Sequence, residues 1–221
     1  MHLHPPNLRQ RLRGSRRLVG GRRTAGFTLL ELMVVVILIG VLAALGVPSI
    51  AAQLRDRRTN QAAHEVALLY RQARSLAMGR GGAVLVRFDG AANGRIEVRE
   101  SMDSDPAHCV SLPATSCSAA NWNAASPLNR LVGAFDVNAN GPYERVKLAF
   151  FQADGTNAGS AVEVCFTPLG RPYRRLSFAG AFTPMNDVPY IQVNRVDAAN
   201  QPEGITRTVL VLPNGTSRLA L

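Results

Sequence analysis

The sequence predicts an α+β fold, in which a long N-terminal hydrophobic helix packs on a C-terminal antiparallel β-sheet domain. Helix-forming residues continue from an apolar run at 27–52 into an amphipathic stretch at 53–79. Residues 80–221 then contain short alternating or β-branched runs separated by turns, without helical periodicity between them. With 47% apolar and 18% charged residues in a chain of 221, the composition supports a packed core and argues against disorder.

The net charge of +10 is concentrated at the N-terminus, in a basic leader at residues 1–26. This leader contains seven arginines and no acidic residue. The remaining 195 residues hold 18 basic and 15 acidic side chains, so their net charge is only +3. The overall basicity therefore gives little support to nucleic-acid binding by the folded domain.

The apolar run at 27–52 is long enough to cross a membrane. As a helix it would extend about 39 Å, and roughly 20 helical residues are already enough to cross a bilayer core. The preceding arginines favour the cytoplasmic side, so the sequence predicts a single-pass helix with a cytoplasmic N-terminus and an extracytoplasmic domain. An ordinary secretory signal is an alternative, but the run exceeds a usual signal core and Glu31 would serve no purpose there. A simple signal anchor is the other alternative.

Glu31 and the bond between Gly26 and Phe27 are unusual for a plain anchor. An isolated carboxylate in lipid costs several kcal/mol, and ionisable residues inside membranes are functional candidates. If a protease cuts after Gly26, the new α-amine of Phe27 lies four residues before Glu31, on the same helix face. Pairing of this amine with the carboxylate, within one subunit or between neighbours, would favour one axial register when such helices bundle.

A resemblance to a known family lies in residues 26–36, whose sequence is Gly-Phe-Thr-Leu-Leu-Glu-Leu-Met-Val-Val-Val. They are similar to the class III signal of type IV prepilins and type II secretion pseudopilins. The resemblance implies cleavage after Gly26 by a prepilin peptidase, N-methylation of Phe27 and an assembly role for Glu31. It further implies a structural minor pilin or pseudopilin in the bacterial inner membrane, with a periplasmic domain and no cofactor. Other pilins and an inner-membrane assembly platform are the implied partners. The leader is longer than usual for the family.

The helix is expected to continue beyond the membrane as a spine. Pro48 removes one backbone hydrogen bond and should bend the helix without ending it, at a position where many pilins carry a proline. Glycines at 79, 81 and 82 are expected to end it. The segment Ala73-Arg74-Ser75 before the first strand is similar to the GspH/FimT branch of the family. An apolar stripe at helical spacing is expected to pack on one sheet face: Leu54, Ala62, Val66, Leu69, Ala73 and Leu76.

Eight strands are predicted in the C-terminal domain, at 83–88, 95–100, 131–135, 146–151, 162–167, 174–179, 190–196 and 206–212. Cys109 and Cys117 lie in a loop between two of them, and outside the cytoplasm such a pair oxidises readily. We therefore predict a disulfide between Cys109 and Cys117, and a buried free thiol at Cys165.

The sequence contains no catalytic motif, and its acidic residues, including Glu163, are interpreted as solvated surface. No metal site is predicted, and the chain is not expected to be an enzyme. The alternative function is DNA binding by a FimT-like minor pilin, since arginines beside an aromatic residue can bind phosphates and stack a base. Its candidate residues are Arg171, Arg174, Arg175, Arg207 and Arg218. The low charge outside the leader favours a solvated face instead.

Overall fold

The computed structural model describes residues 26–102, 113–137 and 141–220, apart from the side chains of residues 45–49, 51, 52, 55 and 92. Cys109 lies outside these residues. The chain forms two compact units, Met1–Gly46 and Val47–Leu221. One long helix is followed by ten strands paired throughout in antiparallel fashion, which confirms the predicted α+β class.

Helix α1 spans Leu29–Arg80. It ends one residue beyond the first of the predicted terminating glycines, because Gly81 adopts a left-handed φ of +70°. The Gly81 N–H donates to the Ala77 carbonyl at 3.1 Å, which satisfies one of the last carbonyls of the helix. A residue with a Cβ would adopt this conformation only at a cost, so glycine defines the helix end.

In the second unit, one face of α1 is buried in the core. Four of the six residues of the predicted stripe belong to this face, Leu76 is half-buried, and Leu54 is exposed, since the buried face begins only at Thr59. Alanines predominate on the face, which lets the helix backbone approach its neighbours closely. Its apolar members are Ala62, Ala63, Val66, Ala67, Leu69, Tyr70, Ala73 and Ala77.

The larger sheet has six strands in the order β3-β2-β1-β5-β6-β7. Strand β5 pairs with β1 although three strands separate them in the sequence order. The bounds are β1 Val84–Asp89, β2 Arg95–Ser101, β3 Asn129–Asp136, β5 Ala161–Phe166, β6 Pro172–Arg175 and β7 Thr183–Pro184. A short 3-10 helix, Ala91–Asn93, lies between β1 and β2.

The smaller sheet has four strands in the order β10-β9-β8-β4. Its bounds are β4 Val146–Phe151, β8 Tyr190–Val196, β9 Pro202–Val211 and β10 Ser217–Ala220. One continuous core joins the buried face of α1 to one face of each sheet. Phe88 on β1 and Phe150 on β4 link the two sheets, with ring centroids 5.9 Å apart.

All eight predicted strands have counterparts in the structure. The sixth, predicted at 174–179, lies earlier in the sequence, because β6 spans Pro172–Arg175 and the chain then turns. The Arg175 guanidinium donates to the carbonyl of Gly180 at 3.2 Å, across this turn. Strands β7 and β10 were missed, since two and four residues are too few to show a period-two pattern.

Candidate functional site

The predicted cleavage bond lies immediately before helix α1. Gly26, Phe27 and Thr28 precede the first helical residue, and Phe27 is 79% exposed. A Cβ added at Gly26 would meet no atom of the described residues within 4 Å. The peptide bond is thus sterically open and outside the helical hydrogen-bond pattern, as a protease requires.

Thr28 and Glu31 form the start of a helix cap. The Thr28 hydroxyl oxygen accepts a hydrogen bond from the Glu31 backbone N–H at 3.2 Å. Thr28 is therefore the N-cap residue and Glu31 the third helical residue, the spacing of a capping box. A carboxylate here also faces the positive end of the helix dipole. Within the described part of the chain no ion pair of Glu31 is found, so its register role stays a prediction.

Apolar side chains are exposed all round the first turns of α1. From Phe27 to Leu42 the large apolar residues have exposed fractions between 45% and 80%. When only the residues described in full are counted, no helix is both long and apolar enough to cross a membrane. Pro48 lies within the bounds of α1, but its side chain is outside the described set, and the bend stays a prediction.

The predicted disulfide between Cys109 and Cys117 is wrong. The structure joins Cys117 to Cys165, whose Cα atoms are 5.9 Å apart, a normal disulfide separation. Cys165 is accordingly not a free thiol. The prediction considered proximity in sequence, whereas Cys165 lies on β5 with its side chain on the sheet face opposite the main core. There it packs with Cys117, Trp122 and Leu85.

The candidate DNA-binding arginines are divided between the two sheets and differ in their contacts. Arg174 is 3.0 Å from the Asp187 carboxylate, and the Arg175 Nε donates to Glu163. Arg207 lies on β9 and Arg218 on β10, whereas Arg171 precedes β6. Two of the five cations are thus already bound to carboxylates, and DNA binding stays an alternative prediction.

Glu163 was interpreted as solvated surface, and this interpretation is wrong. Its side chain is completely buried, between Arg87 on β1 and Arg175 on β6. Strand pairing aligns these three residues across the sheet, because Arg87 opposes Glu163 and Glu163 opposes Arg175. The position of Glu163 within the apolar run of β5 was the signal that indicated burial.

A second carboxylate has the same arrangement. Glu100, at the end of β2, is 5% exposed and contacts Arg80 at 2.5 Å as well as Arg130. Four arginines of the second unit therefore compensate two carboxylates that are buried in the fold. Among the described residues, no group of three or more histidine, cysteine or acidic side chains is placed to hold a metal ion.

Residues 21–47 match the family model of the prokaryotic N-terminal methylation motif, so the match includes the predicted cleavage bond and Glu31. The crystal structure of the type IV minor pilin FimU from Pseudomonas aeruginosa is similar at 10% sequence identity and a TM-score of 0.41. That comparison covers 75% of this chain and 90% of the other, and its score is too low to support a conclusion. No curated protein matches the sequence. The N-terminal segment therefore carries a prokaryotic N-terminal methylation motif.

Proposed function

We propose that this chain is a structural minor pilin or pseudopilin, cleaved after Gly26 and N-methylated on Phe27. The observation that carries the proposal is the methylation motif at residues 21–47. Within this motif, the bond between Gly26 and Phe27 precedes the helix and is sterically open, which suits a peptidase acting at the cytoplasmic face of the membrane.

Cleavage would give Glu31 a partner. The new α-amine of Phe27 is one residue before the N-cap Thr28, at the end of the helix where Glu31 lies. The helix dipole favours the Glu31 carboxylate at this end and disfavours the cationic α-amine of the same subunit. The α-amine of a neighbouring subunit therefore competes well with it for Glu31. In apolar surroundings an unpaired carboxylate is costly, so this pairing would fix the stagger between adjacent helices.

The apolar surface of α1 supports burial in lipid and then between other pilin helices. A helix that is apolar all round is stable only where other apolar groups surround it. We infer insertion of residues 27–52 into the inner membrane, with the domain in the periplasm. The disulfide between Cys117 and Cys165 suits that oxidising compartment. An inner-membrane assembly platform would then incorporate the subunit into a type II secretion pseudopilus or a type IV pilus.

Mass spectrometry of the full chain recovered from cell envelopes tests this function. We expect a mature chain that begins at Phe27 and carries one added methyl group. Gly26→Val should abolish processing, because it alters the residue before the cleaved bond. The matched control Gly20→Val, outside the residues that match the motif, should be processed normally. Recovery of a chain with an intact leader, or of one cut on the periplasmic side of the apolar run, would overturn the proposal.

A further inference from the structure

The face of the six-stranded sheet opposite the main core carries a buried ion-pair cluster, formed by Arg87, Glu163 and Arg175. The Arg87 Nε donates to one carboxylate oxygen of Glu163 at 2.5 Å, and the Arg175 Nε donates to the other. The side chains of the two arginines are only 15% and 12% exposed, and that of Glu163 is fully buried. Two guanidinium groups therefore share one carboxylate, which leaves one positive charge in excess.

Glu97 lies opposite Arg87 on β2 but is paired with Arg95 and Arg99, so it forms no ion pair with this cluster in the described part of the chain. Arg87 donates through Nη2 to the Trp122 carbonyl at 2.8 Å, and Arg175 donates through Nη1 to the Gly180 carbonyl at 3.2 Å. Aromatic rings cover both guanidinium groups, with centroids 4.9 and 4.4 Å from the guanidinium carbons. Within residues 26–102, 113–137 and 141–220, no acceptor is found for Arg87 Nη1 or Arg175 Nη2. Neither nitrogen is among the buried polar atoms that lack a partner, so both are accessible and can donate to an anion.

Both arginines line a cleft of about 660 Å³, together with residues 119–124 and Phe178. This volume lies in the range of small-molecule sites, roughly 300–1,000 Å³, and is much larger than an inorganic ion needs. The walls combine alanine and aromatic side chains with the amides of Asn121 and Asn123. The cleft therefore offers an apolar surface beside a positive charge.

We propose that this cleft binds a small organic monocarboxylate, whose carboxylate contacts Arg87 and Arg175 and whose apolar body lies against Phe178. One negative charge matches the excess of one positive charge, and guanidinium N–H groups suit the two oxygens of a carboxylate. The proposal is independent of the processing and assembly of the chain, and its failure would leave the proposed function intact.

Titration of the full chain in detergent with 3-phenylpropanoate tests the proposal. Trp122 is the sole tryptophan and borders the cleft, so its fluorescence reports occupancy. We expect saturable binding of the carboxylate, and at least about tenfold weaker binding of the uncharged 3-phenylpropanamide. N-acetylglutamate α-amide is a second probe, which presents a side-chain carboxylate on a polypeptide-like body. Tighter binding of either carboxylate supports the site and identifies its source as a free molecule or an acidic side chain.

Two asparagine variants test the charge of the cleft without disturbing the ion-pair cluster. The side-chain oxygens of Asn121 and Asn123 accept backbone N–H groups at 3.0 and 3.1 Å, which aspartate also does. Asn121→Asp and Asn123→Asp therefore add negative charge to the cleft with the turn preserved, and each should weaken 3-phenylpropanoate binding about tenfold. Asn157→Asp is the matched control, because Asn157 accepts the Gly159 N–H at 2.9 Å and does not line the cleft.

Three results would overturn the proposal: no saturable binding of either carboxylate, equal binding of acid and amide, or equal affinity in Asn123→Asp and the unaltered chain. Phenyl phosphate is the competing probe, and tighter binding of this dianion would replace the carboxylate assignment with a phosphate one. Near-ultraviolet circular dichroism of each variant checks that the domain is folded.

Discussion

The disulfide between Cys117 and Cys165 makes a quantitative prediction about stability. It joins residues separated by 48 positions and holds the loop that carries Trp122 on the six-stranded sheet. Replacement of both cysteines by alanine frees this loop in the unfolded chain. By the loop-entropy relation the bond contributes about 4 kcal/mol to the free energy of unfolding at 25 °C.

The expected loss can be measured as a shift in melting temperature. For a domain of this size, each kcal/mol corresponds to about 2–4 °C, so Cys117→Ala/Cys165→Ala should melt roughly 8–16 °C lower. The assay is thermal unfolding of the full chain in detergent, followed by near-ultraviolet circular dichroism. Peptide mapping without reduction identifies the linked pair directly.

Cys109→Ala is the matched control, because it separates this pairing from the one that sequence proximity suggested. A bond between Cys109 and Cys117 would close a loop of eight positions and contribute only about 2.5 kcal/mol. We expect Cys109→Ala to melt as the unaltered chain does. Destabilisation by Cys109→Ala, with no effect of Cys165→Ala, would refute the reasoning.

Three further predictions concern the second unit. Tyr70 is 1% exposed and its hydroxyl has no hydrogen-bond partner among the described residues, so Tyr70→Phe should stabilise the domain by about 1–3 kcal/mol in chemical denaturation. Burial also raises the pKa of Tyr70 well above its usual value, so the unfolded chain loses this proton first and stability should fall above about pH 10. Tyr70→Phe should lose less stability than the unaltered chain between about pH 8 and pH 11, and an equal loss would contradict this. Gly215→Ala should destabilise more than Gly159→Ala, because both have positive φ but only a Cβ at Gly215 would meet the Gly170 carbonyl, at 2.5 Å; equal melting temperatures would contradict this.

The fold class could be predicted because local periodicity carries it. Alternating runs identified eight strands, and helical spacing identified the buried face of α1 from Ala62 onwards. Leu54 follows the same spacing and is exposed, because periodicity shows which residues share a helix face but not how far the sheets extend along it.

The contacts of the candidate sites depend on strand order, which the sequence does not encode locally. Arg87 and Glu163 are 76 positions apart and meet only because β1 pairs with β5. Arg174 and Arg175 looked like one basic cluster, yet neighbours in a strand point to opposite faces. Arg174 pairs with Asp187 and Arg175 with Glu163, so adjacency in sequence wrongly suggested a shared surface.

The arginines and the disulfide act on the same face of the larger sheet. The Arg87 guanidinium holds the Trp122 carbonyl, and the disulfide holds Cys117 five positions earlier in the same loop. Arg175 holds the Gly180 carbonyl, in the turn that also supplies Phe178 to the cleft. One wall of the cleft is therefore fixed at two points and the other at one, by covalent or charge-assisted contacts. A cleft shaped in this way is preorganised, so binding of a ligand costs little additional ordering entropy. The excess positive charge in it is compensated only when an anion is bound.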